Sequence, residues 1–574
     1  MAFTAVWFIG LCSLLLGCGI HVEASHKIYP QFLTHPWNIT PTHQPHRTGY
    51  HFQPAKHWSN GPMMYKGIFH FLYQYNPYRS VWGYIVWAHA TSTDLINWVH
   101  YEPAIKPSIE SDIKGCWSGS TTILPNGKPA ILYTGVDLHK RQVQNLAFPK
   151  DHFDPHLREW IKVSQNPVMT PPDGVNVSSF RDPSTAWMAP DGLWRVIIGS
   201  KIDRVGKGVG KAILYKSKDF FKWELVDHPL HSAENTGMWE CPDFFPVSVN
   251  LEGVGLDTSE IGSHVKHVFK VSLDDKKDDY YTIGTYNLEK DIYVPDEGSV
   301  DDDSGLRYDY GKFYASKTFF DSSKDRRILW GWANESDSIP DNVKKGWAGV
   351  QAIPRNIWLD KAGKQLIQWP VEELEKLRKT PVELQSTQLN GGSVLEVAGI
   401  TASQADVEVS FNLPTLENAE NLKSSGVNPQ LLCSQKEASV EGSVGPFGLL
   451  ALASKGLEEQ TAIFFRVFKD EERFVVLMCS DQSKSSQRSD LDKTTYGAFL
   501  DVDPRQETLS LRSLIDHSIV ESFGGNGKVC ITSRVYPELA IFDEAHLYVF
   551  NNGTESISIS KLSAWSMKKA KIFM

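Results

Sequence analysis

Two acidic side chains stand in sequence settings that suit carboxyl chemistry. Asp182 follows Arg181 in the string Ser179–Pro183 (SFRDP), and a neighbouring guanidinium would hold this carboxylate ionised. Glu240 lies in Met238–Asp243 (MWECPD), between an indole and a thiol, and this apolar setting is expected to raise its pKa and keep its proton available. One ionised and one protonated carboxyl together serve general acid and base chemistry. Either string alone is more often a turn or a buried structural acid.

The segment that precedes these strings has no acidic residue. From Ser25 to Thr93 there is neither Asp nor Glu, although the 574-residue chain contains 68 of them. The same segment is rich in aromatic side chains, as in His57–Pro62 (HWSNGP) and Val81–Tyr84 (VWGY). Aromatic faces stack on the C–H faces of sugar rings, so the segment suggests carbohydrate contact, although most aromatic surpluses belong to the core.

The elements that must position these residues are short strands. Between about 48 and 360, alternating apolar runs are broken by Gly, Asp, Asn and Pro, and helical periodicity is nearly absent. Ser92–Trp98 and Ser217–Trp223 share the pattern S-x-D-x-x-x-W, and Ser316–Asp321 is a degenerate echo. Repeated sheets of this kind suggest a β-propeller, although chance would explain two similar strings equally well.

The C-terminal part predicts a second domain, because the chain is too long for one core. Residues 366–379 have the clearest helical pattern, with Glu and Lys at helix-neighbour spacings, and a polar linker follows around Leu389–Ser393. Alternation then returns and predicts a smaller antiparallel sandwich. We therefore expect a signal peptide at 1–24, a propeller at 45–365, a helix and linker at 366–394 and a β-sandwich at 395–574.

The N-terminus has the features of secretion. An apolar run ending at Cys18 precedes small residues, which predicts the signal peptide and is shorter than the roughly 20 residues of a membrane span. Cleavage leaves five of the seven cysteines, so at least one thiol stays free. We expect Cys433 and Cys479, both in apolar and strand-like strings, to form a disulfide. Four sequons are compatible with glycosylation: Asn38, Asn176, Asn334 and Asn552.

Composition and spacing argue against several other classes. The net charge of −10 disfavours nucleic acid and anionic membranes as partners. No cysteines or histidines have zinc-ligand spacing, and the early histidines are scattered. The glycine-rich string at 204–212 lacks the spacing of a phosphate loop and fits a hairpin turn better.

Taken together, these strings closely resemble the glycoside hydrolase family of plant invertases and fructan exohydrolases. The resemblance runs from about 45 to 570 and includes Ser118–Thr121 (SGST) and Asp516–Gly525 (DHSIVESFGG). It implies an all-β protein, a five-bladed β-propeller followed by a β-sandwich, that hydrolyses terminal β-linked fructosyl units without metal or cofactor. The family mechanism is retaining: a carboxylate attacks the anomeric carbon, a carboxylic acid protonates the leaving oxygen, and water releases the fructosyl-enzyme.

Motif matches carry the family's roles to particular residues. Glu240 matches the acid/base, and Asp182 matches the transition-state stabiliser that holds fructose hydroxyls, with Arg181 beside it. The residues that match sugar-pocket positions are Asn60, Gln74, Trp82, Trp117 and Ser118.

The nucleophile is missing from the family pattern. The first blade of the family reads W-x-N-D-P-N-G-P, with the first Asp as nucleophile, whereas Trp58–Pro62 here reads W-S-N-G-P. Three residues, D-P-N or equivalently N-D-P, are absent with both flanks intact, and in plant genes of this family a very small exon encodes that tripeptide. No acidic residue lies nearby to substitute, and the amide of Asn60 is a far weaker nucleophile. We therefore expect little or no hydrolase activity.

Other departures from the family bear on substrate and location. Sucrose-cleaving members carry Y-D-x-x-K-D in a funnel loop, where this chain has Asn287 in place of the Asp and retains Lys290. We expect this change to weaken the case for sucrose and to admit fructans. Tyr84 stands where many relatives have Asn, and Pro242 resembles extracellular members. The pI of about 6.0 favours a soluble apoplastic protein over one bound ionically to the cell wall.

Three hypotheses follow for the chain. It is a sucrose- or fructan-active hydrolase whose isoform or gene model lacks the small exon, or a catalytically silent secreted protein that binds sugar or regulates an active invertase. In the third, the three-residue loss misfolds the first blade. We expect a monomer whose partners are sucrose or a fructan oligosaccharide, with an active relative or a proteinaceous inhibitor as candidate protein partners.

Overall fold

The computed structural model of the chain describes residues 44–54, 59–60, 63–422, 426–471 and 473–573. The predicted signal peptide at 1–24, the sequon at Asn38 and the side chain of Asn60 lie outside this description. Within the described part, strands dominate, and no helix is long and apolar enough to cross a membrane.

The first domain is a five-bladed β-propeller, because five antiparallel sheets follow one another along the chain. Apolar clusters fill the space between neighbouring blades. The strands are, in blade 1, β1 Ser59–Asn60, β2 Met63–Tyr65, β3 Ile68–Tyr75, β4 Val86–Ser92 and β5 Trp98–Ile105; in blade 2, β6 Gly115–Ile123, β7 Pro129–Val136, β8 Gln142–Pro149 and β9 Trp160–Lys162; in blade 3, β10 Phe180–Arg181, β11 Trp187–Met188, β12 Trp194–Ile202, β13 Val209–Ser217, β14 Glu224–Leu225 and β15 His231–Glu234; in blade 4, β16 Trp239–Ser248, β17 Val265–Leu273, β18 Asp278–Asn287 and β19 Ile292–Pro295; and in blade 5, β20 Tyr314–Asp321, β21 Arg326–Ala333, β22 Val350–Gln351, β23 Arg355–Leu359 and β24 Leu366–Pro370.

The S-x-D-x-x-x-W repeat closes the same hairpin in two blades. In blade 1 the Asp94 carboxylate accepts backbone N–H groups of the turn, and the Trp98 indole donates to a backbone carbonyl at 3.1 Å. Asp219 and Trp223 make the same contacts in blade 3, the indole again at 3.1 Å. The repeat is therefore structural. The predicted echo at 316–321 is wrong, because it lies inside β20.

The second domain is a β-sandwich of two sheets. Its strands are β25 Arg378–Leu389, β26 Ser393–Glu396, β27 Gln404–Asn412, β28 Glu420–Asn421, β29 Phe447–Ala453, β30 Thr461–Asp470, β31 Arg473–Asp481, β32 Tyr496–Leu500, β33 Leu509–Asp516, β34 Ile519–Gly524, β35 Val529–Arg534, β36 His546–Asn551 and β37 Ile557–Met567. One sheet has the order β25-β37-β27-β33-β34-β35, and the other β26-β36-β29-β30-β31-β32 with β28 on β30. A last strand, β38 Ile572–Phe573, returns to blade 1 and pairs with β5.

The predicted helix at 366–379 is wrong. The segment contains β24, a 3-10 turn at Glu372–Leu377 and the start of β25. Pro370 cannot continue a helix, and Leu366 instead pairs with Leu359 in blade 5. The two α-helices of the described residues lie elsewhere, α1 at Ile339–Lys345 and α2 at Pro429–Gln435.

Cys433 and Cys479 are joined by a disulfide, with an S–S distance of 2.04 Å and a Cα–Cα distance of 5.7 Å. The strand expected at Cys433 is helix α2 instead. The free cysteines of the described residues, all buried, are Cys116, Cys241 and Cys530. Of the described sequons, Asn176 is exposed, and Asn334 and Asn552 are half-buried.

A buried ionic cluster joins the two domains and accounts for the string DHSIVESFGG. His51 in its charged form donates through one ring nitrogen to Asp516 and through the other to Glu521, each at 2.9 Å. Asp516 also accepts the backbone N–H groups of Gly49 and Tyr50. All three charged side chains are fully buried, so the cluster fixes how the sandwich meets the propeller.

This cluster predicts a window of maximal stability. Burial opposes a charged His51, but the hydrogen bonds to Asp516 and Glu521 outweigh it and raise its pKa above 6.5. That contribution is complete below pH 6.5 and is lost as pH rises through the folded pKa. The pKa values of Asp516 and Glu521 are lowered, because contacts with His51 and Arg355 outweigh burial, so their contribution is present above about pH 4.5 and lost in acid.

We therefore expect the thermal midpoint to be highest between about pH 4.5 and 6.5. His51→Gln should lower the midpoint in that window and flatten its decline above pH 6.5. Thermal midpoints measured by circular dichroism from pH 4 to 9 test this. If the midpoints of the two proteins fall equally steeply above pH 6.5, His51 is not the cause of the decline.

Candidate active site

Strand irregularities repeat at one end of the blades and aim side chains at the propeller axis. In blades 2, 4 and 5, two residues of the first strand face one residue of the second, at 117–118, 241–242 and 315–316. Such a β-bulge bends the strand and redirects its side chains. We call this end of the propeller the funnel face.

Blade 3 has a larger irregularity at the same place. Five residues, 182–186, lie opposite the three residues 196–198. Asp182 opens this loop with a left-handed φ of 66°, and its backbone N–H donates to the Thr134 hydroxyl at 2.8 Å. The loop thus gives Asp182 a left-handed backbone conformation that residues of a regular strand do not adopt.

Blade 1 has the opposite irregularity: at this place its first strand has fewer residues than its second strand. Asn60 pairs with Gln74, and Met63 pairs with His70. Two residues separate the first-strand members of these pairs, whereas three separate their partners. Of the five blades, this one alone has fewer residues on its first strand than on its second.

The predicted carboxyls and arginine meet at the funnel face. Asp182 accepts a hydrogen bond from the backbone N–H of Cys241 at 2.9 Å. Arg181 donates through Nε to Glu240 Oε1 at 2.9 Å. The Tyr314 hydroxyl of blade 5 donates to the other oxygen of Glu240. Asp182 and Arg181 are buried, and Tyr314 is a site residue that the sequence did not reveal.

The predicted pKa of Glu240 requires correction. Burial alone would raise it, but the charges of Arg181 and Lys277 and the hydroxyl of Tyr314 outweigh burial and lower the pKa to about 2. The pKa of Asp182 is raised by its burial and by the nearby charge of Glu240. The sequence around Glu240 shows only the adjacent indole and thiol. The two cationic side chains and the tyrosine hydroxyl that lower its pKa come from other segments of the chain. These contacts therefore favour the ionised form of Glu240.

Asp274 and Lys277 lie beside Glu240, in the hairpin between β17 and β18. Lys277 Nζ lies 2.6 Å from Asp274 Oδ1 and 4.0 Å from Glu240 Oε2. Arg181 bridges Glu240 and Asp274, donating to the latter at 2.9 Å. The run 274–279 is entirely charged, which was a visible signal, but only the pairing of Glu240 with Ser272 places it at the funnel face.

Two buried lysines satisfy the backbone that the irregularities leave unpaired. Lys317 donates to the carbonyls of Pro242 at 2.8 Å and Pro183 at 3.5 Å. Lys270 donates to the carbonyl of Cys241 at 3.2 Å and to one in blade 5 at 2.6 Å. A bulge frees carbonyls from the strand ladder, and a buried carbonyl needs a donor. These lysines therefore fix the loops that carry both carboxyls.

The predicted aromatic residues form one wall of the site. Trp82 and Trp117 meet edge to face with centroids 5.4 Å apart, and they cluster with Tyr314. The Gln74 amide donates to the Ser118 hydroxyl. A cavity of about 300 Å³ touches Gln74 and Ser118, but it follows the propeller axis away from this wall, and neither carboxyl lines it. Aromatic stacking by the tryptophans and hydroxyl recognition by the amide and hydroxyl are both available at the wall itself.

Asn287 and Lys290 do not belong to this site. They lie at the turn after β18, at the end of blade 4 opposite Glu240, because β18 runs from the funnel face to the far side of the propeller. Asn287 accepts the backbone N–H of Lys290 at 3.0 Å. Asp291 in the same turn binds Arg195 of blade 3 at 2.6 Å. The prediction that Asn287 faces the leaving sugar is wrong, and the string is an inter-blade tie.

A propeller that gathers paired carboxyls, an arginine and an aromatic wall into one funnel, joined to a sandwich, defines a glycosidase. Residues 51–370 match the family described as "Glycosyl hydrolases family 32 N-terminal domain". Residues 373–566 match the family described as "Glycosyl hydrolases family 32 C terminal". The chain belongs to glycosyl hydrolase family 32.

Named relatives match nearly the whole chain. It is 58% identical to the β-fructofuranosidase insoluble isoenzyme CWINV1 of Arabidopsis thaliana, over 98% of each protein. It is 61% identical to the fructan 6-exohydrolase of Beta vulgaris, over 92% of this chain and 88% of that protein. The crystal structure of fructan 1-exohydrolase IIa from Cichorium intybus is similar with a TM-score of 0.90 and 56% identity, over 92% of this chain and 99% of that one.

Proposed function

We propose that this chain is a β-fructoside-cleaving glycosidase that has lost the segment carrying its nucleophile. In this proposal Glu240 is the acid/base, and Asp182 holds hydroxyls of the fructosyl unit. The retaining mechanism then lacks the carboxylate that would attack the anomeric carbon and form the fructosyl-enzyme.

The residue count of blade 1 carries this proposal. Its first strand has two residues where the second has three. Three added residues would give five against three, the count in blade 3, where the extra residues form the loop that begins with Asp182. No acidic residue between Ser25 and Thr93 stands in for the missing carboxylate. Both the geometry and the charge thus fit the loss of one short acidic loop.

The groups around Glu240 suggest how a leaving sugar is bound. An acid that protonates the leaving oxygen lies between the fructosyl unit and the departing group. Asp182 contacts the backbone after Glu240, whereas Asp274 and Lys277 lie on the hairpin beside it. We propose that this Asp–Lys pair hydrogen-bonds hydroxyls of the leaving sugar.

The proposed substrates are terminal β-fructosides, either sucrose or fructans. The names of the relatives support both: they include β-fructofuranosidases and a fructan 6-exohydrolase. A variant of the chicory fructan 1-exohydrolase was crystallised in complex with 1-kestose. Because Asn287 lies at the far end of blade 4, its presence in place of the family's Asp no longer argues against sucrose as a substrate.

A second candidate is a catalytically silent protein that binds sugar. The aromatic wall, Arg181 and Asp182 are retained without a nucleophile, which favours it. We expect calorimetry of the unmodified chain to detect sucrose or inulin oligosaccharides, and Asp182→Asn to weaken binding at least about 10-fold, since each hydrogen bond to a charged group contributes about 1.5–3 kcal/mol. Asn tolerates the left-handed backbone of Asp182.

Asp275→Asn, an exposed carboxylate on the neighbouring hairpin, is the matched control and should bind as the unmodified chain does. Absence of heat with every saccharide would eliminate the binding candidate.

We propose further that the protein is secreted as a monomer to the apoplast or cell wall. Relatives from Arabidopsis thaliana, pea and carrot are named insoluble or cell-wall isoenzymes, which supports this location.

A further inference from the structure

The loop that joins β3 to β4 carries two exposed aromatic side chains. Tyr78 and Tyr84 are 64% and 58% exposed, and their rings meet edge to face with centroids 5.2 Å apart. The loop begins beyond Gln74, so it lies on the funnel face. Trp82, two residues before Tyr84, packs on Trp117 of the pocket wall. One loop thus carries an aromatic side chain at the pocket wall and two in solvent.

Hydrogen bonds hold this loop in one conformation. The buried Asn76 side chain accepts the backbone N–H of Tyr78 at 3.0 Å and donates to the carbonyl of Val81 at 2.8 Å. At the last residue of the loop, the Ile85 carbonyl accepts the backbone N–H of Cys116 in blade 2 at 2.9 Å. Rings presented by a fixed loop lose little conformational entropy when a ligand stacks on them.

The backbone at Tyr84 adds a second observation. Its φ is 55°, after Gly83 at 122°. A bulky residue rarely occupies the left-handed region. Leu95 and Phe220 also do so, in the structural turns of blades 1 and 3, but their side chains are buried, whereas Tyr84 is exposed. Here the strain presents a large ring to solvent beside the pocket.

We propose that Tyr78 and Tyr84 form a rim subsite that stacks on the third and later sugar units of a linear fructan. The loop has one charged residue, Arg79, so its exposed recognition surface is mainly aromatic, and aromatic faces stack on the C–H faces of uncharged sugar rings. Because Trp82 of the same loop packs on the pocket wall, the subsite suits a chain whose terminal unit occupies the pocket. This subsite rests on the proposed function, since it extends the same site.

Binding of two saccharides to the unmodified chain and its variants tests the subsite. The probes are sucrose, which ends inside the pocket, and an inulin-type tetrasaccharide. Tyr84→Asn removes the ring and suits the left-handed backbone, and Tyr78→Ala removes the other ring. Phe153→Ala removes a more exposed aromatic ring, in the loop between β8 and β9 at the far end of blade 2, and is the control. We expect each tyrosine variant to raise the Kd of the tetrasaccharide by about 5- to 10-fold and to leave sucrose unchanged.

Equal weakening of both saccharides, or none, would overturn the subsite while leaving the proposed function in place. If neither saccharide binds the unmodified chain, the proposed pocket fails instead. The same variants are then compared by KM in a chain carrying an inserted Asp-Pro-Asn, where unchanged tetrasaccharide KM values overturn the subsite. A tetrasaccharide with β(2→6) linkages, run in parallel, separates levan-type from inulin-type ligands.

Discussion

Inserting Asp-Pro-Asn between Asn60 and Gly61 is expected to raise the hydrolysis of sucrose or inulin by at least about 10³-fold, because loss of a covalent nucleophile typically costs several orders of magnitude. The insertion supplies an anion to a segment that has none from Ser25 to Thr93. It also converts the two-against-three count of blade 1 to the five-against-three count of blade 3. Steady-state assays of the purified proteins with both substrates measure the gain.

A second insertion separates geometry from charge. Asn-Pro-Asn has the same length and restores the same residue count, but it brings no carboxylate. We expect it to match the Asp-Pro-Asn protein in secretion yield and thermal midpoint while remaining as inactive as the unmodified chain. Equal activity of the two insertions would show that the loop, not the anion, is what the chain lacks.

In the chain with the inserted Asp, Glu240→Gln should lower kcat for sucrose by about 10³-fold, within the range for a lost general acid. Glutamine keeps the shape of the side chain and can still accept from Arg181 through Oε1, but its Nε2 cannot accept from the Tyr314 hydroxyl, and it cannot donate the proton of a carboxylic acid. An aryl β-fructofuranoside, whose leaving group needs no proton, should lose far less in kcat/KM, which reports formation of the fructosyl-enzyme, than sucrose does. Glu289→Gln, exposed at the far end of blade 4, is the matched control.

The pH profile gives an independent measure of the same residue. In the unmodified chain, burial of Glu240 is outweighed by Arg181 and Lys277, and its pKa is about 2. The inserted carboxylate adds a like charge opposite Glu240, which disfavours its ionised form and raises its pKa. The alkaline limb of kcat/KM in the inserted protein should therefore lie well above pH 2 and vanish in Glu240→Gln. A limb unaffected by that substitution would assign the acid role elsewhere.

The fold was predictable because strand alternation and repeated turns are local signals. Asp94 and Asp219 cap equivalent turns, and each is visible from the sequence as a spaced Asp and Trp. The helix predicted at 366–379 failed for the converse reason: charged residues at helical spacing were read without the strand pairing of Leu366 that overrides them.

The site was predictable only where residues are neighbours in a motif. Arg181, Asp182 and Glu240 lie together, as their motifs suggested. Tyr314 reaches Glu240 from β20 and Lys277 from the hairpin between β17 and β18, so no spacing along the chain reveals them. Without them the expected pKa shift of Glu240 had the wrong direction. The prediction for Asn287 was wrong because its motif was assigned to the wrong end of blade 4.

Covalent trapping addresses the missing nucleophile most directly. The unmodified chain and the chain with inserted Asp-Pro-Asn are each incubated with sucrose, quenched in acid during turnover, digested and examined by mass spectrometry. We predict one added fructosyl group on the inserted Asp and none on any peptide of the unmodified chain. A fructosyl adduct on any residue of the unmodified chain would contradict it.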